Sequence, residues 1–207
     1  LSKSQNPSKH KNWSQEVRYA GEFSKRLSGV AGLFYIDQNV KITGTEESGN
    51  AQWRFSQSST SSAWKTPGLF EGYGISTNAS IKSISAAVFA NADYAITENG
   101  KWHILPGIRY NYDQKDVFYN RKAYGGLTTT DSTLNALKKS VYASQAYTAY
   151  ADERNFTYNL TLSFKPSSRV NTFATYANSF KPVGVNVAGL PTRNGAPDTS
   201  VAVIKPE

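Results

Sequence analysis

Side chains along much of this chain alternate between apolar and polar with a period of two. From Ile84 to Ile96 the even positions are Ile84, Ala86, Val88, Ala90, Ala92, Tyr94 and Ile96, and the odd positions include Ser85, Asn91 and Asp93. A two-residue period means a strand with two unlike faces. The next segment repeats it. Trp102, Ile104, Pro106, Ile108, Tyr110 and Tyr112 share one face, while Lys101, His103, Gly107, Arg109, Asn111, Asp113 and Lys115 share the other, with Leu105 the exception. Thr97-Glu98-Asn99-Gly100 lies between, and Asn-Gly is a strong hairpin signal because both residues tolerate positive φ. Pro106 cannot donate to a ladder, so an irregularity or a bulge is expected there.

Two further hairpins follow from the same pattern. Phe156, Tyr158, Leu160, Leu162 and Phe164 oppose Asn155, Thr157, Asn159, Thr161 and Ser163; the chain turns at Pro166-Ser167-Ser168 and returns from Val170 to Phe180. Earlier, Trp13 to Tyr19 and Leu27 to Ile36 flank a turn around Gly21 to Arg26. The expected strands are thus near 13–20, 27–37, 82–96, 101–116, 154–165 and 170–180, in one antiparallel sheet in sequence order. The stretch Ser132 to Tyr150 allows a short helix but reads first as a loop.

Connections alternate in length. The turns within hairpins are short, whereas the links near Lys41 to Ser80 and Val117 to Asp152 are long, and a third begins after Lys181. Loops of that length are uncommon in compact soluble domains. Short turns at one end and long loops at the other match the layout of a bacterial outer-membrane barrel. Aromatic residues, 13% of the chain, gather toward the ends of the apolar faces, where a ring with a polar tip suits a membrane interface. Val88, Ile108, Leu160 and Leu162 are expected to face lipid. Asn91, Asp93, His103, Arg109, Asn111, Asp113, Asn159 and Thr161 are expected to face a lumen. A soluble sandwich also alternates, with its polar face in solvent, and that alternative stays open.

Composition narrows the chemistry. The 207 residues contain no cysteine and only two histidines, which removes disulfides, thiol catalysis and Cys-based zinc sites. No apolar run reaches the length of a transmembrane helix. The net charge of +8 comes from basic residues scattered over the sequence without a stripe, so a nucleic-acid partner is not expected; lipopolysaccharide would suit those charges equally. No catalytic constellation, cofactor site or metal site is expected, and the chain is not read as an enzyme. Gly72-Tyr73-Gly74 lacks a third glycine and a following helix. Glu46-Glu47 reads as a solvated pair in a polar loop. His103 reads as a hydrogen-bonded lumen residue rather than a metal ligand. Of four Asn-x-Ser/Thr triplets, at Asn12, Asn78, Asn155 and Asn159, two lie within expected strands, which argues against glycan sites. Arg109, Asp93 and Asp113 lie within cross-strand reach, and opposite charges there would pair.

Together these segments resemble the barrel of TonB-dependent outer-membrane receptors. Gln15-Glu16-Val17-Arg18 followed by Ala31-Gly32-Leu33-Phe34-Tyr35 looks like that family's early barrel strands. Ala87 to Tyr94 followed by Pro106-Gly107-Ile108-Arg109-Tyr110 is similar to its central hairpin. Phe173 to Pro182 resembles a strand ending in a Gly-Phe-Lys-like segment, with Ser179 in place of the usual glycine, and Lys205-Pro206-Glu207 looks like the Pro-Glu before the next strand. The resemblance implies an all-β fold: about six strands of a barrel of about 22, as an internal piece of a single barrel domain without signal peptide, plug domain or C-terminal strands. It implies active uptake of a scarce nutrient across the bacterial outer membrane, most commonly an iron–siderophore complex. The implied partners are the rest of the barrel, the plug, the TonB complex through the plug, outer-membrane lipid and lipopolysaccharide, and a small-molecule ligand such as an iron chelate. A small autonomous barrel serving as adhesin or anchor, and a soluble β-sandwich binding module, are the rival readings.

Overall fold

A computed structural model describes residues 2–56 and 62–205. One antiparallel sheet dominates it. Its strands are β1 (Lys3–Gln5), β2 (Ser8–Ser24), β3 (Leu27–Glu47), β4 (Gly74–Ala95), β5 (Trp102–Tyr124), β6 (Gln145–Ser167) and β7 (Val170–Ala177). From β2 to β7 each strand pairs with the next in sequence. β1 and β2 both pair with β3 along the same edge and amount to one strand broken at Asn6-Pro7, where the proline has no N–H to give. The other ladders among the described residues are two short pairs, Gly184–Val185 with Val203–Ile204 and Thr192–Arg193 with Ala196–Pro197, and no ladder joins β2 to β7. The arrangement is therefore a single open layer and not a sandwich.

The central strands run well past the expected bounds, to 21–23 residues in β3 to β6. A tilted strand needs about 9–11 residues to cross a bilayer, and the apolar stretch of β5, Trp102 to Tyr112, has that length. Beyond it both faces become mixed, and period-two reading loses its grip, although the hydrogen-bond ladder continues. Glu46 and Glu47 accordingly end β3 rather than sitting in a loop. All four Asn-x-Ser/Thr asparagines lie in strands.

Turns depart from expectation in detail. The first turn tightens to Lys25 and Arg26. In the second, only Gly100 takes positive φ, at 63°, while Asn99 does not, and the Gly100 N–H donates to Thr97 O. Opposite Pro106 and Leu105, the β4–β5 ladder skips Ala92 and Asp93 and resumes in the same register. The irregularity is a gap without a bulge, because the proline's missing N–H lies on the β4 side; the β6 side is continuous through Pro106↔Leu160. β7 stops at Ala177 and not at Phe180: Asn178 uses its side chain as a strand, its Oδ1 accepting from the Tyr158 N–H at 2.6 Å and its Nδ2 donating to Phe156 O at 3.3 Å.

At the loop end the connections are folded. The links 48–73 and 125–144 share a core of Trp64, Leu69, Phe70 and Tyr73 with Leu134, Leu137 and Val141. Those last three come from helix α1 (Ser132–Val141), capped by Asp131 Oδ1, which accepts from the Thr133 and Leu134 N–H groups. The loop reading of this stretch is thus corrected twice: a capped helix occupies 132–141, and β6 already begins at Gln145. The helix exists because its apolar side has this aromatic cluster to rest on, a partner that local sequence does not reveal. The Pro206-Glu207 resemblance lies outside the described residues.

Candidate functional site

Directly opposed residues in an antiparallel sheet share a face, so the register sorts the side chains. Asn91, Gly107 and Asn159 form one row; Ala87, Asn111 and Asn155 another; Phe89, Arg109 and Thr157 lie between. Asp93, His103, Asp113 and Thr161 fall on the same face. Val88, Ile108, Leu160 and Leu162 fall on the other, with 43–52% of their surface exposed. The polar face is the shielded one. Along β5, Gly107 and Asn111 are buried and Arg109 half-buried, whereas Ile108 and Tyr110 between them are exposed. In a single layer, such asymmetry marks curvature toward the shielded side. The protein is inside-out relative to a soluble domain: polar groups crowd the hollow and aliphatic groups cover the outside.

On the apolar face the rings collect at both ends. Trp102 stacks on Phe164 with centroids 4.3 Å apart next to the turns, and Trp13 meets Tyr35 at 5.5 Å toward the loops.

The polar face has three working clusters. At the turn end, His103 Nδ1 lies 2.6 Å from Asp93 Oδ1 and its Nε2 lies 3.0 Å from Gly100 O, so both ring nitrogens meet acceptors. Midway, Arg109 spreads over Phe34 and Phe89 at 5.5 and 5.8 Å, and its Nε donates to Asn111 Oδ1 at 2.6 Å. The expected pairing of Arg109 with Asp93 or Asp113 does not form, because the register places Arg109 opposite Phe89 and Thr157. Asp113 instead faces Glu153. Asn111 is 5% exposed, and its Nδ2 has no hydrogen-bond partner among the described residues.

The third cluster was not expected. The segment after β7 turns back over the loop end of the polar face. Val183, Leu190 and Ala202 are buried; Leu190 and Ala202 share a core with Ala79, Val117, Tyr119 and Tyr147. Gln145 exchanges two hydrogen bonds with the Leu190 backbone, Tyr147 Oη donates to Asn186 O at 2.7 Å, and Glu153 Oε2 accepts from the Val183 N–H at 2.8 Å. Burial, and the neighbouring Tyr119 phenol, raise the Tyr147 pKa above its ordinary value, so the phenol stays a neutral donor. The strap 183–202 is thus held by three side chains on one face of β6, Gln145, Tyr147 and Glu153. The apolar signal that could have found it is Val117, Tyr119 and Tyr147 lying on a face that is otherwise polar. No group of three or more metal-ligating side chains comes together among the described residues.

This geometry agrees with the comparisons. Residues 3–207 match the family model described as TonB dependent receptor-like, beta-barrel. The chain belongs to this family of receptor and transporter barrels of the bacterial outer membrane, and it forms part of the barrel wall. Its structure is similar to the ferric yersiniabactin uptake receptor FyuA from Yersinia pestis, with a TM-score of 0.66 at 14% identity over 99% of this chain and 25% of that one. It also matches the RagAB peptide importer in its open-open state at 12% identity, with a TM-score of 0.46, over 78% of this chain and 16% of that one. The chain therefore spans about a quarter of the length of FyuA. No curated protein matches the sequence.

Proposed function

We propose that this chain is a section of the wall of an outer-membrane receptor for active uptake of a scarce nutrient, an iron–siderophore complex being the ligand class. The observation that carries this reading is the inside-out sheet. The exposed aliphatic band, bounded by rings at both ends, faces lipid, and the shielded polar face lines the lumen. The turns then lie on the periplasmic side and the folded links on the extracellular side. An open layer in lipid leaves N–H and C=O groups of β2 and β7 unpaired, a cost that barrel closure removes, so the remaining barrel strands pair with those two edges. The open Nδ2 of Asn111 and the guanidinium of Arg109 offer donors to whatever fills the lumen, which on this reading is a plug domain coupled to the TonB complex. The strap narrows the extracellular mouth. FyuA, by its description a ferric yersiniabactin uptake receptor, supports iron chelates as the ligand class.

The test is uptake of radiolabelled iron chelates by cells that carry or lack the gene, with and without a working TonB complex. Uptake that needs both supports the reading; uptake of every chelate tested that is indifferent to both contradicts it.

A further inference from the structure

The short turns build a cationic cleft at the end of the sheet opposite the strap. The β5–β6 ladder runs one rung past Trp102↔Phe164, with the Lys165 N–H donating to Lys101 O at 2.7 Å. Lys101 and Lys165 therefore stand directly opposite each other. Side chains alternate along a strand, so both fall on the face away from the Trp102–Phe164 stack, next to His103 and Ser163. Like charges placed directly opposite destabilise a sheet. Neither lysine lies on an edge: β4 flanks β5 and β7 flanks β6, and neither flanking strand puts a carboxylate within ion-pair distance of them. Arg169, in the turn between β6 and β7, adds a third cation. The three are exposed and line a cleft of about 510 Å³ between the two turns.

The asparagines of the cleft are turned the same way. Asn99 Oδ1 accepts from the Lys101 N–H at 3.1 Å and from Thr97 Oγ1 at 2.8 Å, and Asn171 Oδ1 accepts from Ser163 Oγ at 2.7 Å. Each turn thus uses its asparagine's oxygen and leaves the Nδ2 group to donate. Two ammonium groups, a guanidinium and two amide nitrogens face the cleft, and no acid lines it. That set selects an anion rich in acceptor oxygens. Its charges stand on two separate turns, so one small anion does not span them, whereas successive carboxylates on one chain do. The Trp102–Phe164 rings cover the other face of the sheet at this height, so a lipid headgroup meets the rings while the cleft opens on the polar side. The cations sit at turn tips past the ring belt, where a protein outside the barrel reaches them without entering the lumen.

We propose that this cleft docks an acidic polypeptide segment of a separate periplasmic protein, with its carboxylates between Lys101, Lys165 and Arg169 and its backbone carbonyls against the Asn99 and Asn171 amides. The inference rests on the outer-membrane reading given above for the compartment that the turns face, and it adds to that reading a docking surface on the periplasmic rim.

The test uses the full-length receptor in detergent, with fluorescein-labelled hexaglutamate and hexaglutamine peptides as probes, read by fluorescence anisotropy. The variants are the double change Lys101→Gln and Lys165→Gln, the single change Arg169→Gln, which leaves the β5–β6 ladder untouched, and, as control of equal charge, the double change Lys122→Gln and Lys139→Gln at the loop end. Heat-modifiable gel migration reports barrel assembly for each. The expected result is that wild type binds hexaglutamate and not hexaglutamine, and that salt weakens the binding. Affinity should fall by about tenfold in the cleft double variant and about threefold in Arg169→Gln, and stay unchanged in the control. No preference for hexaglutamate in wild type, unchanged affinity in the assembled cleft variants, or an equal loss in the control overturns the docking cleft and leaves the receptor reading intact. Phosphatidylglycerol retained by wild type in native mass spectrometry, lost in the cleft double variant and found in place of hexaglutamate binding, assigns the cleft to lipid headgroups and overturns it likewise. A wild-type protein that never assembles in outer-membrane lipid overturns both.

Discussion

Gln145 and Leu190 exchange two hydrogen bonds: Gln145 Nε2 donates to Leu190 O at 2.6 Å, and Gln145 Oε1 accepts from the Leu190 N–H at 2.8 Å. The side-chain amide thereby substitutes for a neighbouring strand at one rung. Both residues are buried, so the strap could not be held there by backbone groups left bare. Replacing Gln145 by Leu keeps the volume and removes both partners, and each buried backbone group left unsatisfied costs about 1–3 kcal/mol. The expected outcome is local: hydrogen exchange across 183–202 quickens strongly, while exchange in the β4–β5 ladder stays unchanged. Equal exchange in the strap of both proteins would show that the amide does not hold it.

Gly32 sits beneath the Phe89 ring. A Cβ there would lie 2.6 Å from Phe89 Cζ and 2.7 Å from Val17 O. The ring can swing away, but the carbonyl belongs to the β2 ladder and cannot. Gly32→Val should therefore destabilise the β2–β3 hairpin by about 1–3 kcal/mol, and displace Phe89 from Arg109. Denaturant sensitivity of the assembled barrel measures the first effect. Gly21→Ala is the comparison, because a Cβ at Gly21 meets only Tyr19 Oη at 3.9 Å, and it should be near neutral.

Charge on the two faces should be tolerated unequally. An Arg at a lipid-facing midplane site costs about 2–4 kcal/mol. Val88→Arg and Leu160→Arg should each reduce heat-modifiable barrel in outer membranes, whereas Asn159→Arg, on the polar face next to Gly107, should assemble nearly as well as wild type. Similar yields for all three would remove the distinction between the faces.

The membrane-spanning part of the fold was legible in the sequence because period two persists wherever one face meets an apolar phase and the other a polar one. Ile84 to Tyr94 and Phe156 to Phe164 show it cleanly, and their partners follow from short turns. Legibility ended where that contrast ended. Val117 to Tyr124 and Gln145 to Asp152 are strands held by ladder hydrogen bonds between mixed faces, so they read as loops. The helix at 132–141 and the strap at 183–202 depend on partners remote in sequence, Tyr73 and Gln145 among them. Parity groups the polar residues but leaves their pairing open: Arg109 meets two phenylalanines because the register sets it opposite Phe89. The same holds for charge. Lysines that look scattered along the chain become neighbours once Lys101 is found opposite Lys165.

The most direct test of the account is a lipid-accessibility scan along β6 in the full-length receptor. This chain has no cysteine; on a full-length receptor cleared of any cysteine elsewhere, single cysteines at each position from 155 to 162, labelled with a fluorophore, can be read with a quencher dissolved in the bilayer. Strict alternation is expected: strong quenching at Phe156, Tyr158, Leu160 and Leu162, and weak quenching at Asn155, Thr157, Asn159 and Thr161. Quenching that is uniform along the segment, or stronger at the asparagine and threonine positions, would contradict an outer-membrane wall with its aliphatic face toward lipid.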